Sequence, residues 1–148
     1  MAHPHGPAGH PVVRRIRHNL DEKPFMVIWE VTRACQLVCK HCRAEAQKTA
    51  APGQLTTAEG KALLGVLASY EHPRPMIVFT GGDCFEREDL VELVRYGTDA
   101  GLHISISPSV TPLFTRERVA ALKAAGGHAM SVSLDGATAA THDAFRGF

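Results

Sequence analysis

The chain has 148 residues, a length that fits one domain of ordinary size. Apolar residues make up 45% and charged residues 21%, a globular composition that excludes a disordered or collagen-like chain. Sixteen basic against fifteen acidic residues leave a formal charge of +1, so no charge excess points to nucleic acid or to an anionic membrane surface. No apolar run approaches the ~18–20 residues that span a bilayer, and the N-terminus has no apolar segment of the secretory kind. Residence in a reducing cytoplasm is the expectation.

Residues 1–23 are rich in Pro, Gly and His and then turn basic at Arg14, Arg15 and Arg17. They read as a flexible arm, with the domain proper at 24–148. Phe25 to Thr32 is β-branched and aromatic, which predicts a strand. A long loop follows, from Arg33 to about Leu55. Thr56 and Glu59 have capping-box spacing and open a helix with Leu63, Leu67 and Tyr70 at helical intervals, broken by Pro73 and Pro75. Met76 to Thr80 is the next strand and runs into Gly81, Gly82 and Asp83. A helix with Glu86, Glu88 and Asp89 at its positive end is predicted up to Gly101, with Leu90, Leu93, Val94 and Gly97 inward. His103 to Ser107 is a third strand. A helix from about Thr115 presents Val119 and Leu122, and Met130 to Asp135 is a fourth strand. A last helix begins near Thr138.

The order is therefore βαβαβαβα. The later units repeat about every 27 residues, the length of a minimal β–helix–β crossover, which predicts a parallel sheet with right-handed connections. The first unit is longer because of its loop, and long loops in compact domains are usually functional. Ile104 and Ile106 alternate with His103, Ser105 and Ser107; Val132 and Leu134 alternate with Ser131, Ser133 and Asp135. Strands buried on both faces read as apolar throughout. A polar face on neighbouring strands predicts a curved wall with helices outside and a polar ligand inside. Four β/α units do not close the usual eight-stranded barrel. The expectation is a partial parallel (β/α) barrel, the N-terminal part of a longer protein, with little activity on its own.

Cys35, Cys39 and Cys42 fall within eight residues, poor geometry for a disulfide framework and good geometry for a metal. Three thiolates at this spacing fit three corners of a cubane iron–sulfur cluster and leave one iron open, whereas ferredoxin-type carriers ligate every iron with Cys. A structural zinc site completed by His41 or Cys84 is one alternative, and unliganded core cysteines another. The loop leaves the C-terminal end of the first strand, the ligand-binding face of parallel β/α folds. Gly81-Gly82-Asp83, residues 107–111 and residues 133–136 leave the same end of the other strands.

Taken with Trp29 to Arg33 and the closing His142 to Gly147, these motifs resemble the radical S-adenosylmethionine superfamily, and within it the subgroup with a SPASM-type extension that includes peptide maturases and haem-biosynthesis enzymes. The resemblance implies a radical-SAM-type barrel and a 4Fe–4S cluster on Cys35, Cys39 and Cys42. It implies S-adenosyl-L-methionine chelating the open iron, with one-electron cleavage giving a 5′-deoxyadenosyl radical that abstracts hydrogen from a peptide or small-molecule substrate, tetrapyrroles included. It implies an electron donor such as flavodoxin or ferredoxin, while the charge balance predicts no nucleic-acid or membrane partner. Gly81, Gly82 and Asp83 match the turn whose backbone receives the methionyl ammonium, with Asp in place of the usual Glu. Ser133 and Asp135 match contacts to the ribose and amino-acid ends, and His41 the place of an aromatic residue near the adenine. Arg146 is a candidate for the cofactor carboxylate, while Ser107 to Val110 depart from the family pattern. The competing functions are an iron–sulfur electron-transfer module and a zinc-stabilised binding module.

Overall fold

The computed structural model describes residues 18–147. Of the expected arm, residues 1–17 lie outside the described residues. Residues 18–23 form a turn on the carbonyl of Asn19, and Lys23 Nζ donates to the Glu71 carbonyl at 2.6 Å.

Four parallel strands, β1 (Met26–Thr32), β2 (Met76–Gly81), β3 (His103–Ile106) and β4 (Ala129–Met130), lie side by side in sequence order. Helices α1 (Thr57–Ala68), α2 (Leu90–Asp99), α3 (Arg116–Ala124) and α4 (Ala139–Arg146) alternate with them. This is the partial β/α wall the sequence predicts. No helix among the described residues is long and apolar enough to cross a membrane.

The register explains which face is which. Trp29 pairs with Phe79, Phe79 with Ile106, and Ile106 with Met130, so all four side chains leave the sheet on the same side. That side carries the core: Ile77, Phe79, Ile104 and Ile106 are buried against Leu64, Leu67, Leu93, Val94 and Leu122 of the helices. Ile104 seats against Gly97, where a Cβ would collide with its Cδ1, so α2 lies close on β3. The opposite face presents Ile28, Val78 and Ser105 in register, of which Ile28 is exposed.

Local signals set the helix starts. Thr56 and Glu59 form the reciprocal capping box at α1, and Thr115 caps α3 by accepting from the Arg118 amide. Two expectations need correction. The second helix begins at Leu90 rather than at the acids before it, because Cys84–Glu86 forms a separate 3-10 turn. The fourth strand pairs over Ala129–Met130 only; the Ser131 amide reaches the Ile106 carbonyl at 3.0 Å and the ladder stops there. Val132 and Leu134, expected on an apolar face, are 51% and 83% exposed, since no described element packs over them.

Asp89 stands at the N-cap position of α2 without capping it. Its carboxylate is taken by Arg87, through Nε at 2.6 Å and Nη2 at 3.0 Å, and by the Thr57 hydroxyl at 2.6 Å. Arg87, with 3% of its side chain exposed, also donates to the Val31 carbonyl at 2.9 Å and lies 5.6 Å from the Trp29 ring centroid. One ion pair thus ties β1, α1 and α2. Burial pushes the Asp89 carboxyl up, but the bonds from Arg87 and Thr57 and the guanidinium charge outweigh it and hold the group below its usual range. The unfolded state therefore binds the proton first as pH falls. The stabilisation is full above the ordinary carboxylate pKa of about 4 and is lost as pH falls through the lower folded value. Asp89→Asn should cost about 3 kcal/mol at pH 7, because it orphans a buried guanidinium. In urea titrations, the stability difference between wild type and the variant should shrink as pH falls below about 4.

Candidate functional site

The site is built on the end of β1. The β1–β2 register shifts between Glu30 and Thr32, so that Thr32 faces Gly81. Pairing then continues past both strands: the Gly82 amide donates to the Thr32 carbonyl at 2.9 Å and the Asp83 amide to the Ala34 carbonyl at 2.7 Å. Gly81 has φ +140°, and a Cβ there would collide with the Thr32 carbonyl. A Cβ on Gly82 would collide with the Ala34 and Arg33 carbonyls. The close approach that demands glycine is between this turn and the first residues of the cysteine loop.

The cysteine loop is closed at its base. Ala34 bridges Gln47, with the Cys35 amide on the Gln47 carbonyl and the Gln47 amide on the Arg33 carbonyl, both at 2.8 Å. Arg33 reaches back to the carbonyls of Ala44 and Glu45 and to the Glu45 carboxylate. The end of α4 closes the other side. Phe145 stacks on His41 with ring centroids 4.4 Å apart, its carbonyl accepts from the Lys40 amide, and Gly147 lies against Val38.

Between these walls is a cavity of about 450 Å³. Cys35, Cys39 and Cys42 line it, with Gly81, Gly82 and His41. So do Ser133, Arg146 and the hydroxyl-bearing Thr80, Ser107, Ser109 and Ser131. Ser107 and Ser131 share a hydrogen bond at 2.7 Å across β3 and β4. The structure thus brings together the three cysteines, His41, both glycines and Ser133.

All four cysteines are free thiols. Each of the three in the cavity has one N–H on its sulfur. The Leu37 amide reaches Cys35 Sγ at 3.4 Å, the Ala46 amide reaches Cys42 Sγ at 3.4 Å, and Arg146 Nη1 reaches Cys39 Sγ at 3.7 Å. Burial pushes the Cys35 thiol up, partly opposed by the Leu37 amide and Ser109, so metal capture there must displace a proton. Among the described residues no three His, Cys, Asp or Glu side chains converge on a point where one metal ion would sit. Thiolates are soft ligands, and a cubane takes them one to each of separate irons rather than gathering them on a single ion. The donor set fits a cluster.

Asp83, Asp135 and Cys84 do not line the cavity. The fully buried Asp83 carboxylate accepts from the Phe85 and Ser109 amides and from the Thr111 hydroxyl at 2.7 Å, tying the glycine turn to the segment after β3. Burial raises its pKa against those three bonds. Asp135 pairs with Arg146 Nε at 2.7 Å and reaches the site only through it. Cys84 is fully buried in the core beyond the turn, and burial drives its thiol far up. Ser109 and Thr111 were not legible as tethers. Ser109 donates to the Gly82 carbonyl at 2.9 Å and lies 4.0 Å from Cys35 Sγ, contacts that no local pattern announces.

The family model described as the radical SAM superfamily matches residues 29–147. The chain belongs to the radical SAM superfamily. It is 46% identical over 140 residues to the AdoMet-dependent heme synthase of Nitratidesulfovibrio vulgaris, covering 93% of this chain and 37% of that protein. It is 42% identical over 132 residues to the Fe-coproporphyrin III synthase of Methanosarcina barkeri, covering 89% and 32%. It is 36% identical over 125 residues to the PqqA peptide cyclase of Rhodopseudomonas palustris, covering 84% and 32%. The chain thus spans about a third of the length of these radical SAM relatives.

If the glycine turn sets the radical SAM site, Gly82→Ala should cut iron uptake during anaerobic reconstitution by roughly tenfold, about 1.4 kcal/mol of lost loop ordering. Gly65→Ala is the control. Its Cβ would meet only the Tyr96 hydroxyl at 3.5 Å at a half-buried position of α1, so uptake should be unchanged and stability should rise by up to about 1 kcal/mol.

Proposed function

We propose that the whole protein is a radical S-adenosylmethionine enzyme of the SPASM-type subgroup, acting on a tetrapyrrole precursor. The observation that carries the reading is the set of three free thiols on one cavity, each with a single N–H donor on its sulfur. Cys35, Cys39 and Cys42 would hold a 4Fe–4S cluster with one iron open to S-adenosylmethionine. When bound, that group would supply one-electron reductive cleavage of the sulfonium C–S bond, passing on an electron received from an external low-potential donor, as the starting point for hydrogen abstraction from substrate.

The chain's own part is binding and orientation. The main chain at Gly81 and Gly82 receives the ammonium end of the cofactor. Ser133 serves its ribose or amino-acid end, Asp135 acts through Arg146, and His41, steadied by Phe145, borders the adenine. Hydroxyls along β2, β3 and β4 offer donors and acceptors without fixed charge. The tetrapyrrole choice draws support from the heme-synthase and Fe-coproporphyrin III synthase relatives at 42% identity and above; a peptide substrate draws on the cyclase at 36%. A low-potential flavodoxin or ferredoxin would supply the electron. A pure electron carrier fits less well, since the fourth cysteine is sealed in the core.

On anaerobic reconstitution the three thiols should account for about four iron and four sulfide per chain. Cys35→Ala, Cys39→Ala and Cys42→Ala should each abolish the cluster, and Cys84→Ala should retain it. With dithionite and S-adenosylmethionine, the loaded protein should release 5′-deoxyadenosine. One equivalent of zinc without labile sulfide would overturn the reading.

A further inference from the structure

We propose that Arg146 is a charge-bearing positioning residue for Cys39, and that its guanidinium sets how readily the cluster accepts an electron. The proposal rests on the cluster reading above and deepens it.

The three sulfurs are not served alike. Cys35 and Cys42 take their N–H donors from the backbone of their own loop, Leu37 and Ala46. Cys39 takes a charged donor from the last turn of α4, 107 residues further along the chain. Those backbone amides are neutral dipoles present in any sequence. Arg146 is a full positive charge that a single substitution removes.

The guanidinium is fixed rather than draped over the loop. Only 11% of the Arg146 side chain is exposed, and Nε is paired with Asp135 at 2.7 Å while Nη1 points at Cys39 Sγ. The planar fork divides its donors between a carboxylate and a sulfur, which a lysine ammonium would do less rigidly. The backbone that carries it is held too, by the Phe145 carbonyl on the Lys40 amide and by the Phe145–His41 stack. Arg146 and Asp135 are neutral as a pair, but the pair is oriented, and its positive end is the one in contact with sulfur.

Reduction adds one unit of negative charge to the cluster and its thiolates, delivered by a low-potential one-electron donor, with no proton transferred. A partly buried cation against one thiolate stabilises the reduced form more than the oxidised form, because the interaction grows with the added charge. Arg146 should therefore raise the midpoint potential. A role confined to holding the loop would change how much cluster assembles, not the potential at which it reduces.

The test is an EPR-monitored redox titration of the reconstituted whole protein without S-adenosylmethionine, with iron and sulfide measured in parallel. The set is wild type, Arg146→Gln, Arg146→Met, Arg146→Lys and the remote charge control Lys61→Gln. Arg146→Gln and Arg146→Met should carry wild-type iron and sulfide and reduce at a more negative potential. Arg146→Lys should stay near wild type, and Lys61→Gln should not shift. If the neutral variants assemble no cluster, Arg146→Lys decides: a cluster at wild-type potential supports the charge role, and failure of all three variants alike overturns it. Neutral variants that reduce at the wild-type potential also overturn it. A wild-type protein that takes up no iron and sulfide overturns the cluster reading itself, a result distinct from unchanged potentials in loaded variants.

Discussion

Two backbone hydrogen bonds, Gly82 to Thr32 and Asp83 to Ala34, govern the arrangement of the site. They carry the pairing of β1 and β2 beyond the ends of both strands, so the first residues of the cysteine loop inherit the rigidity of the sheet. The price is that positions 81 and 82 must lack a Cβ, since backbone carbonyls occupy the space it would fill. Everything further out depends on this join. Ser109 fastens to the Gly82 carbonyl, Asp83 gathers the Ser109 amide and the Thr111 hydroxyl, and Cys35 emerges at a fixed point beside them.

The join secures only one side of the loop. The other side is secured by α4, which is distant in sequence and reaches the loop through a stacked ring, a backbone bond and a guanidinium. The Arg87–Asp89 pair works at the level below, locking the starts of α1 and α2 against β1 so that the strand end does not shift under the loop. Three layers of support thus converge on the thiols, of which Cys35 is buried but Cys39 is half-buried and Cys42 exposed. A metal site on a loop needs such support, because its ligands must stay near productive geometry without a core of their own.

Much of the fold was legible because its signals are local. The order of strands and helices, the inward set Leu90, Leu93, Val94 and Gly97, and the Thr56–Glu59 cap are all consequences of short-range spacing, and the structure shows each of them. The cysteine triplet and the glycine turn were legible for the same reason. What escaped is set through space. Asp89 had a sound dipole rationale, yet a nearby guanidinium and a hydroxyl from another helix offered stronger partners than the helix end. Asp83 adjoins the cavity in sequence, but its carboxylate faces away because three donors lie on the far side. The strand after Met130 has the right alternation, and it loses its ladder because its partner β3 ends at Ile106, whose carbonyl takes the last bond from the Ser131 amide.

The distribution of charge around the cavity follows from the same construction. Because backbone fills the glycine turn and hydroxyls line β2 to β4, the wall carries few fixed charges. Arg43 borders it, but most of that side chain is in solvent beside Glu30. Among the described residues bordering the cavity, Arg146 is the buried cation, and it is already neutralised on one side by Asp135. A largely neutral, hydroxyl-lined wall suits contents that carry their own charge and change it by one electron, since hydroxyls can turn to donate or accept without moving their backbone. Strong fixed charges all round would favour one state of such contents and oppose the other. A single oriented cation at one thiolate biases the balance without fixing it.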